Sequence, residues 1–411
     1  MVAIRLACAV NNYHWGKHGL SSKAAQFAAT NPEVSIDDSQ TYAELWMGTH
    51  PSGPSKVFGT DTPLSAVVDE CSEQALGPKV ASKYQGQIPY LFKVLSIEKA
   101  LSIQAHPDKQ LAQKLHSERP SVYKDGNHKP EMSIALTDFI AMSGFRPLNE
   151  ISGFLDTYPE FQALVSNSAA GFKQAAATGS EAEKKQALKQ LFAELMNAAA
   201  DDVARELQKL VKRIGGQEQS DAVSPQALVV RLNSEYPDDV GVFCVFMLNV
   251  LCLQPGDAFY MGPNDPHAYV SGDCIECMAT SDNVIRAGLT PKMRDVPVLV
   301  DMLTYDHGAP DAKLLKPTGL IGTQHSVIYD PPIEEFAVIR TQLEGGQSEK
   351  FEGMAGPQIL IVVDGEGVLT DSDESYVLAP GYVFFVVADS SFTVRAAAGK
   401  PLVAYTATCQ L

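Results

Sequence analysis

Between residues 101 and 106 apolar and polar positions alternate, with Leu101, Ile103 and Ala105 set against Ser102, Gln104 and His106. Successive strand residues point to opposite faces, so this pattern predicts a β-strand with a hydroxyl, an amide and an imidazole along one side. The first 145 residues carry mostly short strand signals, among them the apolar run YLFKVLSI (90–97), punctuated by Pro and Gly as in THPSGPSKVFGT (49–60). From Leu148 to about Tyr236 the period changes. Leu188, Leu191, Phe192, Leu195 and Met196 recur three and four residues apart, as do Val203, Leu207, Leu210 and Val211, which predicts helices. Gly215 and Gly216 offer a helix stop, and Ser224 followed by Pro225 offers a helix start. Strand signals return after Pro237. The run VGVFCVFMLNVLCL (240–253) is too short to span a bilayer and predicts a buried strand or strand pair. The pattern is mainly β with a helical insertion, and the helical block itself needs no chemistry beyond packing.

The β regions contain a faint internal repeat. LQPGDAFYMGPNDPHAYV (253–270) matches LAPGYVFFVVADSSFTVR (378–395) at a constant offset of 125 residues, with Leu, Pro–Gly and Phe259/Phe384 coinciding. A Pro–Gly turn, an aromatic strand and a bend are typical of double-stranded jelly-roll barrels, the cupins. At this offset His267 falls on Phe392. One barrel would then keep a metal-capable histidine and the other would be structural.

Length and charge narrow the classes. The 411 residues suggest two or three domains, and 45% hydrophobic with 20% charged residues fits a globular protein. A formal net charge of −17 argues against nucleic acid or an anionic membrane as partner, while leaving room for an anionic small substrate in a local basic pocket. No signal peptide is evident, and seven scattered cysteines suit free thiols in a reducing cytoplasm. Cys274 and Cys277 form a CxxC without the further soft ligands a zinc site needs, so buried small residues are expected there.

Ligand-type residues concentrate at Gln104 and His106, Glu131 in NHKPEM (127–132) and His267 in PNDPHAY (263–269). Two imidazoles, a carboxylate and an amide oxygen make a nitrogen/oxygen shell that suits Zn²⁺, with Mn²⁺, Fe²⁺ or Co²⁺ compatible by ligand type. The shell carries one negative charge against two positive, which leaves a bound metal able to polarise an oxygen. Segment 271–293 adds Glu276, Asp282, Arg286 and Lys292, acids and bases soon after His267, of which Arg and Lys suit oxyanions and phosphate. Lys93 is an isolated charge in its apolar run, facing the same cavity or snorkelling at a strand edge.

At these residues the chain closely resembles the type I phosphomannose isomerases, zinc enzymes of the cupin superfamily. The matching segments are NYHWG (12–16), ELWMGTHPSGPS (44–55), PYLFKVLSIEKALSIQAHPDK (89–109), NHKPEM, SGFRP (143–147) and PNDPHAYVSGDCIECMATSDNVIRAGLTPK (263–292). The last third matches more loosely, and the helical block only in kind. The resemblance implies a discontinuous catalytic jelly roll over 1–147 and 237–325, a helical domain over 148–236 and a metal-free cupin-like domain over 326–411. It implies one Zn²⁺ per chain on Gln104, His106, Glu131 and His267, an active-site arginine at Arg286, and phosphate contacts at Ser102 and Lys292. Asp265 stands where many members have Glu.

The implied reaction interconverts mannose 6-phosphate and fructose 6-phosphate through a cis-enediol, supplying precursors of GDP-mannose, in a cytoplasmic monomer. The base must lie within reach of the moving proton. Glu276 is the first candidate, Lys129 beside Glu131 the second and Asp282 the third. A cupin sugar-phosphate epimerase, a cupin oxygenase and a non-catalytic sugar-phosphate binder are the competing functions. The glutamine weighs against iron–oxygen chemistry, and the intact quartet with Arg286 weighs against a mere binder.

Overall fold

Strands from both flanks of the helical block join in common sheets, and the strand that matters most is the one that changes face. In the computed structural model, which describes residues 2–215, 221–372 and 374–409, a ten-stranded sheet carries the candidate site. Its main path runs Leu248–Leu253, Phe139–Phe145, His267–Ala279, Tyr90–Ile97, Glu44–Met47 and Ala9–Asn11, antiparallel throughout. The 13-residue strand His267–Ala279 also pairs with Ile103–Ala105 and Glu131–Ala135. Those two strands pair in turn with Ile285–Gly288 and Ala258–Met261.

Simple alternation would put Tyr269 and Glu276 on opposite faces of this long strand. A bulge prevents that. Ile140 pairs with Ser271 and the next residue, Ala141, with Tyr269, so one extra residue is inserted. Before the bulge Ala268 and Val270 point to the core shared with the helices; beyond it Ile275 and Cys277 point to the core between the two β-structures. Tyr269 and Cys274 consequently share the barrel interior with Leu95, Phe139 and Phe259. Gly272 follows the insertion at φ +114°, where an added Cβ would lie 2.5 Å from the Asp138 carbonyl oxygen.

Among the described residues six α-helices lie between Leu148 and Glu235, and the residues singled out by period are buried there, Val211 partly. Ser224 caps its helix by accepting from the Ala227 N–H at 3.2 Å, with Pro225 in the first turn. Gly215 is the C-cap of Ala200–Ile214, and Gly216 lies outside the described residues. The expectation for 240–253 needs correction. Val240–Phe246 forms a 3₁₀ helix, and only Leu248–Leu253 is a strand. A fully buried apolar run does not reveal its period. Asp239 decides here by accepting from the Gly241 N–H at 2.7 Å and starting the turn. The first 145 residues likewise contain short helices, including Lys23–Ala28 and Lys109–Glu118, among their strands.

Six C-terminal strands, with Ala3–Ala7 and Lys56–Val57, form an eight-stranded sheet facing a four-stranded one around their own apolar core. The chain's first strand, Ala3–Ala7, pairs with Val383–Val386 in that eight-stranded sheet, which a division by sequence position does not anticipate. The internal repeat coincides with structure: Ala258–Met261 and Val383–Val386 are strands at the 125-residue offset, and His267 and Phe392 each begin the next one. Phe392 stacks on Phe351 at 4.8 Å, filling with rings what the first barrel leaves polar. Replacing Gly272 by Val should reduce the unfolding free energy by about 2 kcal/mol or more, read as a lower urea midpoint, since a left-handed backbone and a carbonyl clash are combined. An unchanged midpoint would count against the strained bulge.

Candidate metal centre and active site

Three buried acceptors converge where the strands meet. His106 Nε2 lies 3.4 Å and His267 Nε2 3.2 Å from Glu131 Oε2, and none of the three has a hydrogen-bond partner among the described residues. The other nitrogen of each ring identifies the tautomer. His106 Nδ1 donates to the Asn283 carbonyl at 2.6 Å and His267 Nδ1 to the Asp265 carbonyl at 3.0 Å. A carbonyl only accepts, so each Nδ1 carries the hydrogen and each Nε2 presents a lone pair. Burial lowers the His106 pKa and favours this neutral ring. Burial works to raise the Glu131 pKa, but the Lys129 ammonium, 2.8 Å from Oε1, holds it well below the usual carboxylate range.

Leaving such groups unpaired costs about 1–3 kcal/mol each. A divalent cation removes that cost at all three atoms together, and the arrangement fits one. Among the described residues this is the one His/Cys/Asp/Glu cluster whose ligand atoms all lie within 4.8 Å of one another. Gln104 is the cross-strand partner of both His267 and Arg286, which sets its side chain beside the cluster, and Ser102 Oγ donates to Gln104 Oε1 at 3.4 Å. The polar face seen in the sequence is therefore real, although the regular strand covers only Ile103–Ala105.

A cavity of about 290 Å³ opens beside Gln104 and Glu131, lined also by Ser102, Lys93, Lys129, Glu276, Arg286 and Lys292. Of the residues expected from sequence, Asp282 does not join them. Its side chain is half exposed, and its carboxylate sits 3.5 Å from His50. Arg286 is pulled below its ordinary pKa by burial alone, with no carboxylate partner among the described residues. Lys292 is exposed at the rim, on a loop pinned by Asp239, which accepts from the Leu289 and Thr290 N–H groups at 2.7 and 3.1 Å. Lys129 lies beside Glu131 as the sequence placed it, its Nζ 2.8 Å from Oε1.

A charged row crosses three strands on the cavity wall. Glu276 is the register partner of Lys93 on one side and Ser133 on the other. Lys93 Nζ lies 3.1 Å from Glu276 and 3.7 Å from Glu44, and burial opposes its charge while the two carboxylates raise its pKa. It is thus a buried, paired lysine and not a snorkelling one. Glu44 has its pKa raised by burial, with the Glu276 charge adding to the effect and Lys93 opposing it; it also accepts the Trp46 indole N–H. Glu44, Tyr13, Trp15 and Tyr269 line the cavity too, and residue-type reasoning assigned them no role. An isolated Glu within YAELWM was the available signal for Glu44. Cys274 and Cys277 are buried free thiols on opposite faces of their strand, with pKa values pushed well up by burial.

Residues 3–148 match the sequence profile "Phosphomannose isomerase type I, catalytic domain", residues 164–248 its helical insertion domain and residues 326–374 its C-terminal region. The mannose-6-phosphate isomerase of Schizosaccharomyces pombe is 43% identical over 418 residues, covering 99% of this chain and 100% of the relative. The chain belongs to the type I phosphomannose isomerase family. The mannose-6-phosphate isomerase of Cryptococcus neoformans is 45% identical, with 93% of each chain covered. Among solved structures, the apo mannose 6-phosphate isomerase of Salmonella typhimurium superposes with TM-score 0.83 at 30% identity, over 100% of both chains. A mannose 6-phosphate isomerase bound with zinc and yttrium superposes with TM-score 0.84 at 30% identity, also over 100% of both chains.

The His106 ring depends on a loop that Asp125 holds together. Its carboxylate accepts from Ser281 Oγ at 2.8 Å, the Asp282 N–H at 2.8 Å and Asn283 Nδ2 at 3.2 Å, and Asn283 supplies the carbonyl under His106. Asp125→Ala should lower affinity for a divalent metal about 10–100-fold while the fold persists. Competition with a chelator measures it, and parental affinity would refute the link.

Proposed function

We propose that the protein interconverts mannose 6-phosphate and fructose 6-phosphate with one Zn²⁺ held by Gln104, His106, Glu131 and His267. The observation that carries this reading is the set of donor-free acceptors around Glu131, adjoining the cavity that holds Glu276 and Arg286, in a chain of this family. The bound metal supplies Lewis-acid polarisation of a sugar oxygen. Glu276 is the base that takes the proton from one of the two neighbouring sugar carbons and returns it to the other. Although Lys93 and Tyr269 engage its two oxygens, each oxygen keeps a second lone pair for the substrate. Arg286, charged and without a carboxylate of its own, stabilises negative charge as it develops on the sugar oxygens. Ser102 and Lys292, at the rim, receive the phosphate.

By sequence the chain divides into a catalytic unit (1–147 with 237–325), a helical unit (148–236) and a metal-free C-terminal unit (326–411), whose eight-stranded sheet also takes in the first strand, Ala3–Ala7. Seven free cysteines agree with a reducing cytoplasm, and among the described residues no helix is long and apolar enough to cross a membrane.

An assay coupled to fructose 6-phosphate formation should show activity that chelation abolishes and added zinc restores. Glu276→Gln should lower kcat by about 10²–10⁴-fold with zinc still bound. Retained turnover would remove Glu276 as the base. Ser102→Ala and Lys292→Ala should mainly raise KM for the phosphorylated sugar, and equal losses with a non-phosphorylated analogue would contradict the phosphate contacts.

A further inference from the structure

We infer that Tyr269, itself held by Ser133, is a positioning residue that fixes the plane of the Glu276 carboxylate against the substrate. This rests on Glu276 being the base. Tyr269 Oη donates to Glu276 Oε1 at 2.7 Å and accepts from Ser133 Oγ at 2.6 Å. Met261 Sδ, 3.6 Å from the same hydroxyl, competes for its one proton, but an ionised carboxylate at 2.7 Å is by far the stronger acceptor. Phe139 and Phe259 pack edge-on against the tyrosine ring, with centroids at 5.5 and 6.0 Å, so the hydroxyl has a fixed place.

Lys93 alone cannot do this work. An ammonium is a point charge without a preferred plane, and the terminal torsion of Glu is broad and nearly two-fold. Lys93 is also drawn towards Glu44 at 3.7 Å. The second contact, from Tyr269, turns a charge pair into an oriented carboxylate. It arises because the bulge brings residues 269 and 276 of one strand to the same interior.

Tyr269→Phe keeps the ring and removes only the hydroxyl. It should lower kcat by about 10- to 100-fold, the scale of a misplaced reacting group, with KM, zinc content and unfolding midpoint close to parental. Ser133→Ala should give a smaller loss of the same kind, and adding it to Tyr269→Phe should cost little more, because both act through one chain of bonds. Parental kcat in Tyr269→Phe, or a loss expressed as raised KM or lost zinc, would overturn the inference. Glu276→Gln separates the two levels. If that variant is inactive while Tyr269→Phe turns over normally, positioning alone fails; if Glu276→Gln is active, the base assignment falls and positioning with it.

Discussion

Two imidazole lone pairs are brought within 3.2–3.4 Å of one carboxylate oxygen without a hydrogen between them. Folding assembles a group of mutually repelling acceptors only if something else holds each of them in place. The surrounding structure shows how. Backbone carbonyls of Asn283 and Asp265 fix the two rings, Lys129 grips the free oxygen of Glu131, and Asp125 knits the loop from which one carbonyl comes. Strands from four parts of the sequence must meet to deliver these atoms. The ten-stranded sheet is the means of that meeting.

The same wall carries a balance of charge. Lys93, Lys129, Arg286 and Lys292 line the cavity together with Glu44, Glu131 and Glu276. Pairing uses up the inner lysines, whereas Arg286 and Lys292 stay available towards the rim. A protein of formal charge −17 thereby keeps a local cationic entrance, consistent with a phosphorylated ligand entering phosphate last.

Much of this was legible in the sequence. Alternation in residues 101–106 gave the shared face of Ser102, Gln104 and His106, and three- and four-residue spacing gave the helical block. What stayed hidden depends on long-range pairing. Val240–Phe246 is buried on all sides and so has no readable period. Glu44 and Tyr269 acquire meaning only beside Lys93 and Glu276, which lie far from Glu44 in sequence or across a bulge from Tyr269. Asp282 lies close in sequence to Glu276 but turns outward to His50, because the strand ends at Ala279. Family resemblance supplied the ligand set; it did not reveal that the first strand is hydrogen-bonded into the second barrel's sheet.

The single extra residue in the His267–Ala279 strand has an evolutionary corollary. The bulge makes this strand intolerant of changes in length. Losing or gaining one residue between Tyr269 and Gly272 would leave both ends of the strand paired and folded, yet turn Glu276 from the interior towards the neighbouring barrel. Lineages diverging within this fold should therefore place insertions elsewhere, with the spacing between His267 and Glu276 preserved like the reading frame of a gene.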